Sequence, residues 1–240
     1  MDVIIDFKNV SKSFGHHPVL NKVDLSIPSG EIFGLIGPSG SGKTTLIKIF
    51  IGLESLSAGE VSFKGEEIKA IPFYKKIGYM AQSDALYEEL TAYENLQFFA
   101  SIYGLKKKER KQRIEEVMKT VDLLDHLKKP VHLYSGGMKR RLSLAIALLH
   151  DPEVLILDEP TVGIDPVLRK EIWAQFQKLK KHGRTLLITT HVMDEAERCD
   201  RLALLRDGKI IANEKPESIT ESFQVSSIEE VFLKSEVSNI

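Results

Sequence analysis

Residues Gly37 to Thr44 read Gly-Pro-Ser-Gly-Ser-Gly-Lys-Thr: one glycine, four residues, then Gly42-Lys43-Thr44. This spacing is a Walker A phosphate-binding loop. Glycines let backbone N–H groups turn inward around an anion, because no Cβ blocks the approach. Lys43 has the reach for β- and γ-phosphates, and the Thr44 hydroxyl is the type of group that ligates Mg²⁺. Pro38, Ser39, Gly40, Ser41 and the following Thr45 complete the set expected to surround a nucleoside triphosphate.

A second nucleotide motif is Val154-Leu155-Ile156-Leu157-Asp158-Glu159. Four apolar residues predict a buried central strand, and Asp158 emerges at its C-terminal end, where α/β folds bind ligands. That is a Walker B pattern: Asp158 for Mg²⁺, and Glu159 to orient or deprotonate the water that attacks the γ-phosphate. A third is Tyr134-Ser135-Gly136-Gly137-Met138, ahead of the helical run Lys139 to Ala147. Ser135 is a helix cap, and the two glycines offer N–H groups to an anion. His191, Gln82 and Phe14 carry little signal in isolation; a lone histidine is more often structural than catalytic, and an aromatic beside a glycine turn is usually packing.

Taken in order, Phe14, Gly37 to Thr44, Gln82, Ser135-Gly136-Gly137, Asp158-Glu159, Asp165 and His191 resemble the nucleotide-binding subunit of an ATP-binding cassette transporter, over about residues 3 to 215. The resemblance implies a role for each residue. Phe14 sits where an aromatic stacks on adenine, although the family more often has Tyr. Gln82 matches the residue that senses Mg²⁺ and water. Glu159 matches the catalytic carboxylate, His191 the switch histidine at the γ-phosphate, and Asp165 the loop that crosses between subunits. The sequence departs from the commonest signature at Tyr134, usually Leu, and Met138, usually Gln.

The resemblance further implies ATP and Mg²⁺ as cofactors and a head-to-tail pair of cassettes. It implies a transmembrane permease on a separate chain and a place on the cytoplasmic face of the membrane. The Met-type signature, Glu159 to Pro166 and Glu229 to Leu233 are similar to an exporter branch with separate ATPase and membrane chains. Three readings follow: the ATPase of a membrane exporter, a soluble cassette ATPase acting on ribosomes or DNA, and a cassette that binds ATP without useful turnover. Intact Lys43, Asp158, Glu159 and His191 speak against the last.

These residues need elements to position them. Val3 to Phe7, Val19 to Ile27, Glu31 to Ile36, Gly59 to Phe63, Ile77 to Met80, Val154 to Leu157, Thr185 to Thr189 and Arg201 to Leu205 read as strands. Thr45 to Phe50 reads as the helix after the phosphate loop. From Tyr87 to Leu149 the texture is helical, with Ile114, Val117, Met118, Val121 and Leu124 predicted on one face. The expected fold is a single α/β domain over 1–240. In it a P-loop NTPase core of mostly parallel sheet (1–86 and 150–215) carries an N-terminal antiparallel β subdomain, an inserted α-helical subdomain (87–149) and a C-terminal tail (216–240). Ile228 to Leu233 reads as a short amphipathic stretch that docks.

Lys plus Arg total 33 against 34 Asp plus Glu, a balance that argues against a nucleic-acid partner. The single Cys199 excludes an internal disulfide and is expected to serve packing. The first residues have no signal-peptide pattern and no apolar run reaches the length of a membrane span, so a soluble, cytoplasmic chain is expected. The basic run Lys106 to Arg113 reads as a solvated helix face.

Overall fold

In chain order the strands are β1 (Val3–Phe14), β2 (His17–Pro28), β3 (Ile32–Ile36), β4 (Ala58–Phe63), β5 (Glu66–Glu67), β6 (Ile77–Met80), β7 (Val154–Asp158), β8 (Thr185–Thr190), β9 (Arg201–Arg206) and β10 (Lys209–Glu214). The helices are α1 (Lys43–Phe50), α2 (Ala92–Ile102), α3 (Lys107–Thr120), α4 (Gly136–Leu148), α5 (Pro166–Lys181), α6 (Met193–Ala196), α7 (Pro216–Phe223) and α8 (Ile228–Val237). These come from a computed structural model that describes residues 2–68 and 73–237. Met1, residues 69–72 and the end of the expected tail, 238–240, lie outside the described residues. The chain forms two units, Met1–Ala70 with Leu187–Ile240, and Ile71–Leu186.

The first unit holds an antiparallel sheet in the order β2-β1-β4-β5. β1 runs well beyond the expected Phe7, because buried Val10 and Lys12 continue the inward-facing set as far as the Gly15 turn. β3 is buried at every position and pairs in parallel with β9, Phe33 opposite Arg201 and Ile36 opposite Leu204. An all-buried strand needs cover on both faces, which is why it reads as an unbroken apolar run rather than an alternating one. β10 returns antiparallel on β9. Its half-buried Ile210-Ile211-Ala212 gives no clear alternation, and the sequence reading missed it. Cys199 is buried, with Sγ 3.5 Å from the Glu195 carbonyl; packing is its role, and burial pushes its thiol pKa up.

In the second unit β6 and β7 pair in parallel, Ile77 opposite Val154 and Met80 opposite Leu157. The helical stretch is α2, α3 and α4, with a non-helical connection from Asp84 to Thr91 that includes a turn at 88–89, and short 3₁₀ turns at Leu124–His126 and Val131–Leu133. Thr91 starts α2 with a capping box: its Oγ1 accepts from Glu94 N–H at 3.2 Å, and the Glu94 carboxylate accepts from Thr91 N–H at 2.8 Å. Ile114, Val117, Met118 and Val121 are buried as expected, but Leu124 is not part of that face. α3 ends at Thr120, Asp122 turns left-handed at φ 54°, and Leu123 takes the buried place. α5 buries Ile172, Trp173 and Phe176, each contributing about 1.5–3 kcal/mol.

The basic run is a solvated face at four of its lysines, while Arg113 turns in to donate to the carbonyls of Leu148 (2.6 Å) and Leu149 (3.0 Å) at the end of α4. Among the described residues no helix is long and apolar enough to cross a membrane.

Candidate nucleotide site

The phosphate loop links β3 to α1. Gly37 is buried, and a Cβ there would overlap the Leu205 carbonyl oxygen and come within 2.8 Å of Ser41 Oγ. Gly40 and Gly42 lie at φ 80° and 108°, which L side chains rarely adopt; a Cβ on Gly42 would also meet Leu20 Cδ2 at 2.7 Å. Lys43 is 6% exposed, and its ammonium donates to the carbonyls of Gly37 (2.7 Å) and Pro38 (3.0 Å), curling over its own loop. Ser41 Oγ is buried without a hydrogen-bond partner, and an anion oxygen in the loop would satisfy it. With the N-terminus of α1 starting at Lys43, these features fit a bound polyphosphate. Phe14, across the Gly15 turn, is 48% exposed, and Lys12 Nζ sits 4.7 Å from its ring centroid. Lys12 is held there by the Ser55 carbonyl (2.6 Å) and Glu54 (3.1 Å).

His191 follows β8 and is exposed. Its loop is shaped by two buried residues the sequence reading did not single out. Thr190 Oγ1 donates to Glu195 Oε2 at 2.7 Å and accepts from Val192 N–H at 3.0 Å. A Thr-x₄-Glu spacing into a short helix is the signal that could have found them.

In the second unit, β7 is buried at all five positions and ends at Asp158, 2% exposed. Burial, followed by the Asp158 charge, raises the Tyr79 phenol above its usual pKa. Glu159, next along, adopts φ 49°, a left-handed conformation that costs a non-glycine residue roughly 1–2 kcal/mol. Its Oε2 accepts from Gln82 Nε2 at 2.8 Å, a contact between residues far apart in sequence.

Ser135 caps α4, its Oγ accepting from Met138 N–H at 3.2 Å. Ser135 and Gly136 are exposed, and a Cβ on Gly136 would meet nothing within 4 Å. Tyr134, in the place of the usual Leu, is buried and donates its hydroxyl to the His126 carbonyl at 2.8 Å, with its pKa pushed up to about 12 by burial. Asp165 caps α5, accepting from Val167 and Leu168 N–H at 3.1 and 3.0 Å. The sequence reading passed over Arg140, which is 6% exposed and reaches carbonyls on both sides of the Gln82–Glu159 pair.

A sequence model of the family described as ABC transporter matches residues 20–162, more than half the chain. The chain belongs to the ABC transporter family. Among relatives of this cassette, the Nod factor export ATP-binding protein I of Burkholderia lata is 41% identical over 221 residues, 91% of this chain and 73% of that protein. The linearmycin resistance ATP-binding protein LnrL of Bacillus subtilis is 40% identical over 212 residues, 87% of this chain and 68% of that protein. ABC transporter G family member 20 of Dictyostelium discoideum is 42% identical over 96% of the chain, but the match spans only 32% of that longer protein. The structure of an ATP-binding subunit of an ABC transporter superposes with a TM-score of 0.85 at 30% identity, covering 96% of this chain and 98% of the other. A dimeric cassette in a post-hydrolysis state with ADP and Pi is 29% identical, with a TM-score of 0.79 over 88% of this chain and 98% of its own. The fold is that of the ABC ATPase subunits. The alternative of a soluble cassette acting on ribosomes or DNA finds no support among these relatives.

Proposed function

We propose that this chain is the ATP-hydrolysing subunit of an exporter, turning over MgATP in a cassette dimer and passing closure to a separate transmembrane subunit. The observation that carries the catalytic part is Glu159, which stands at the end of a wholly buried strand with its carboxylate on Gln82. Glu159 holds the attacking water and accepts its proton, and Gln82 orients the carboxylate by its hydrogen bond. Lys43 donates to the phosphates instead of to its own loop carbonyls, and the loop N–H groups from Gly37 to Thr45 surround them. Thr44, Asp158 and Gln82 are the residues assigned to Mg²⁺, which when bound neutralises phosphate charge. Phe14 offers its exposed ring to the base, and His191 contacts the γ-phosphate.

Ser135, Gly136 and Gly137 bind the same nucleotide from a second copy, and Asp165 lies on the loop that crosses between the copies. The capped, exposed start of α4 supports that reading, as does the solved dimer of a related cassette. Export is supported by relatives whose names are Nod factor export and linearmycin resistance proteins. Attachment to the cytoplasmic face through a permease is supported by relatives named as export or resistance ATP-binding proteins, and the cargo belongs to that partner.

The test is phosphate release by the purified chain as a function of protein concentration. Specific activity that rises with concentration, and is lost in Lys43→Ala, supports dimer-dependent hydrolysis. A rate per subunit that is independent of concentration overturns it.

A further inference from the structure

Arg140 lies one turn into α4 beyond Gly136 and Gly137, and its guanidinium has no solvent-facing task. Nε donates to the Pro160 carbonyl at 2.9 Å; Nη2 donates to the carbonyls of Asp158 (3.0 Å) and Glu159 (2.8 Å). Three successive carbonyls of the chain around Glu159 therefore end on one planar cation. Nη1 donates to the carbonyls of Ala81 (2.9 Å) and Gln82 (3.0 Å) and pairs with Asp84 Oδ1 at 3.2 Å. Asp84 Oδ1 also accepts from Ser143 Oγ at 2.7 Å, one turn further along the same helix.

We infer that Arg140 is a positioning residue for hydrolysis: it fixes the backbones of Glu159 and Gln82 to the helix that begins at Ser135, and so sets where the Glu159 carboxylate points. The chemistry requires arginine. Five N–H groups in a rigid plane serve carbonyls on two separate chain segments, whereas lysine offers three donors from one point. The requirement is greatest at Glu159, whose left-handed backbone persists only if its surroundings hold it. Its carbonyl takes the shortest of the six guanidinium contacts. Because the same side chain reaches Gln82, the hydrogen bond between Gln82 and Glu159 is held from both ends.

The inference rests on the assignment of Glu159 as the residue that activates water, and the experiment separates the two. MgATP turnover, nucleotide affinity by a fluorescent ATP analogue, and thermal unfolding are measured on the full chain for wild type, Arg140→Lys, Glu159→Gln and the double variant. Arg140→Lys is expected to lose about 10- to 100-fold in kcat, the scale of a misplacement of about 1 Å, with nucleotide affinity kept within about twofold. In the Glu159→Gln background the same change is expected to cost nothing further, because both act through one carboxylate. A merely structural arginine would lower affinity and residual turnover in both backgrounds.

Wild-type kcat in Arg140→Lys overturns the inference, as does an equal loss on top of Glu159→Gln. Full activity in Glu159→Gln overturns the catalytic assignment instead. If Arg140→Lys does not fold, Asp84→Ala loosens the guanidinium from its rim. A fall of about 3- to 10-fold in kcat at unchanged affinity then supports the positioning role, and wild-type kcat overturns it.

Discussion

Gln82 and Glu159 are joined by a hydrogen bond of 2.8 Å, although 77 residues of sequence separate them. The amide donates to the carboxylate that our reading assigns to water activation. Any change that withdraws Gln82 therefore reorients Glu159 directly. Glu159→Gln is expected to retain nucleotide and to lose about 10²- to 10⁴-fold in turnover, the usual scale for removing a general base. The readout is single-turnover hydrolysis, with ATP-dependent dimers by light scattering as the companion measurement.

Gly37→Ala tests the loop without touching its charged groups. A Cβ there overlaps the Leu205 carbonyl oxygen, which belongs to backbone and cannot swing away. The expected cost is about 1–3 kcal/mol in unfolding free energy, with nucleotide binding lost as the loop shifts. Urea denaturation measures the first and equilibrium dialysis the second.

Gly136→Ala makes the opposite prediction. Nothing lies within 4 Å of the added methyl, so the isolated chain is expected to keep its unfolding temperature or gain slightly from the better helix former. If a second copy presents nucleotide to this helix start, ATP-dependent dimerisation and turnover fall about tenfold or more nonetheless. Unchanged turnover would remove Gly136 from the ATP contact.

His150 supplies a pH dependence of stability. Its ring stacks on Tyr103 at 4.0 Å, its Nε2 bonds the Ile77 carbonyl at 2.9 Å, and its Nδ1 is buried with no partner. Burial lowers its pKa from 6.5, with the Ile77 carbonyl opposing. The folded chain thus binds fewer protons than the unfolded one below that value. Stability is unaffected above pH 6.5, falls as pH drops below it, and stops falling once the folded-state pKa is passed. Comparing urea midpoints of wild type and His150→Gln from pH 7.5 to 5 should show a shallower decline in the variant. Parallel declines would exclude His150 as the source.

Asp165→Ala should cost about 1 kcal/mol by removing the acceptor for two N–H groups at the start of α5. Asp165→Asn, which keeps that acceptor, is expected to restore most of it. Chemical denaturation of the two variants separates this capping contribution from any effect on turnover.

The sequence by itself determined the local chemistry. The phosphate loop, the apolar strand ending in Asp158-Glu159 and the Ser135 cap are short-range patterns whose meaning depends on residue type and spacing. Glycine positions at Gly37, Gly40 and Gly42 are legible for the same reason, because steric demands act within a few residues. Buried strands such as β3 and β7 announced themselves as unbroken apolar runs.

Only the tertiary structure decided which distant polar groups meet. Arg140 stands beside Lys139 and Arg141 in a run that reads as a charged helix surface, and nothing local says that it alone of the three is buried on carbonyls from 81–82 and 158–160. Leu123 rather than Leu124 is inside because Asp122 breaks the helix in a left-handed turn, which shifts the register of everything after it. Hydrogen bonds to backbone carbonyls carry no side-chain signature at the acceptor, so such a clamp becomes visible only once the chain has folded.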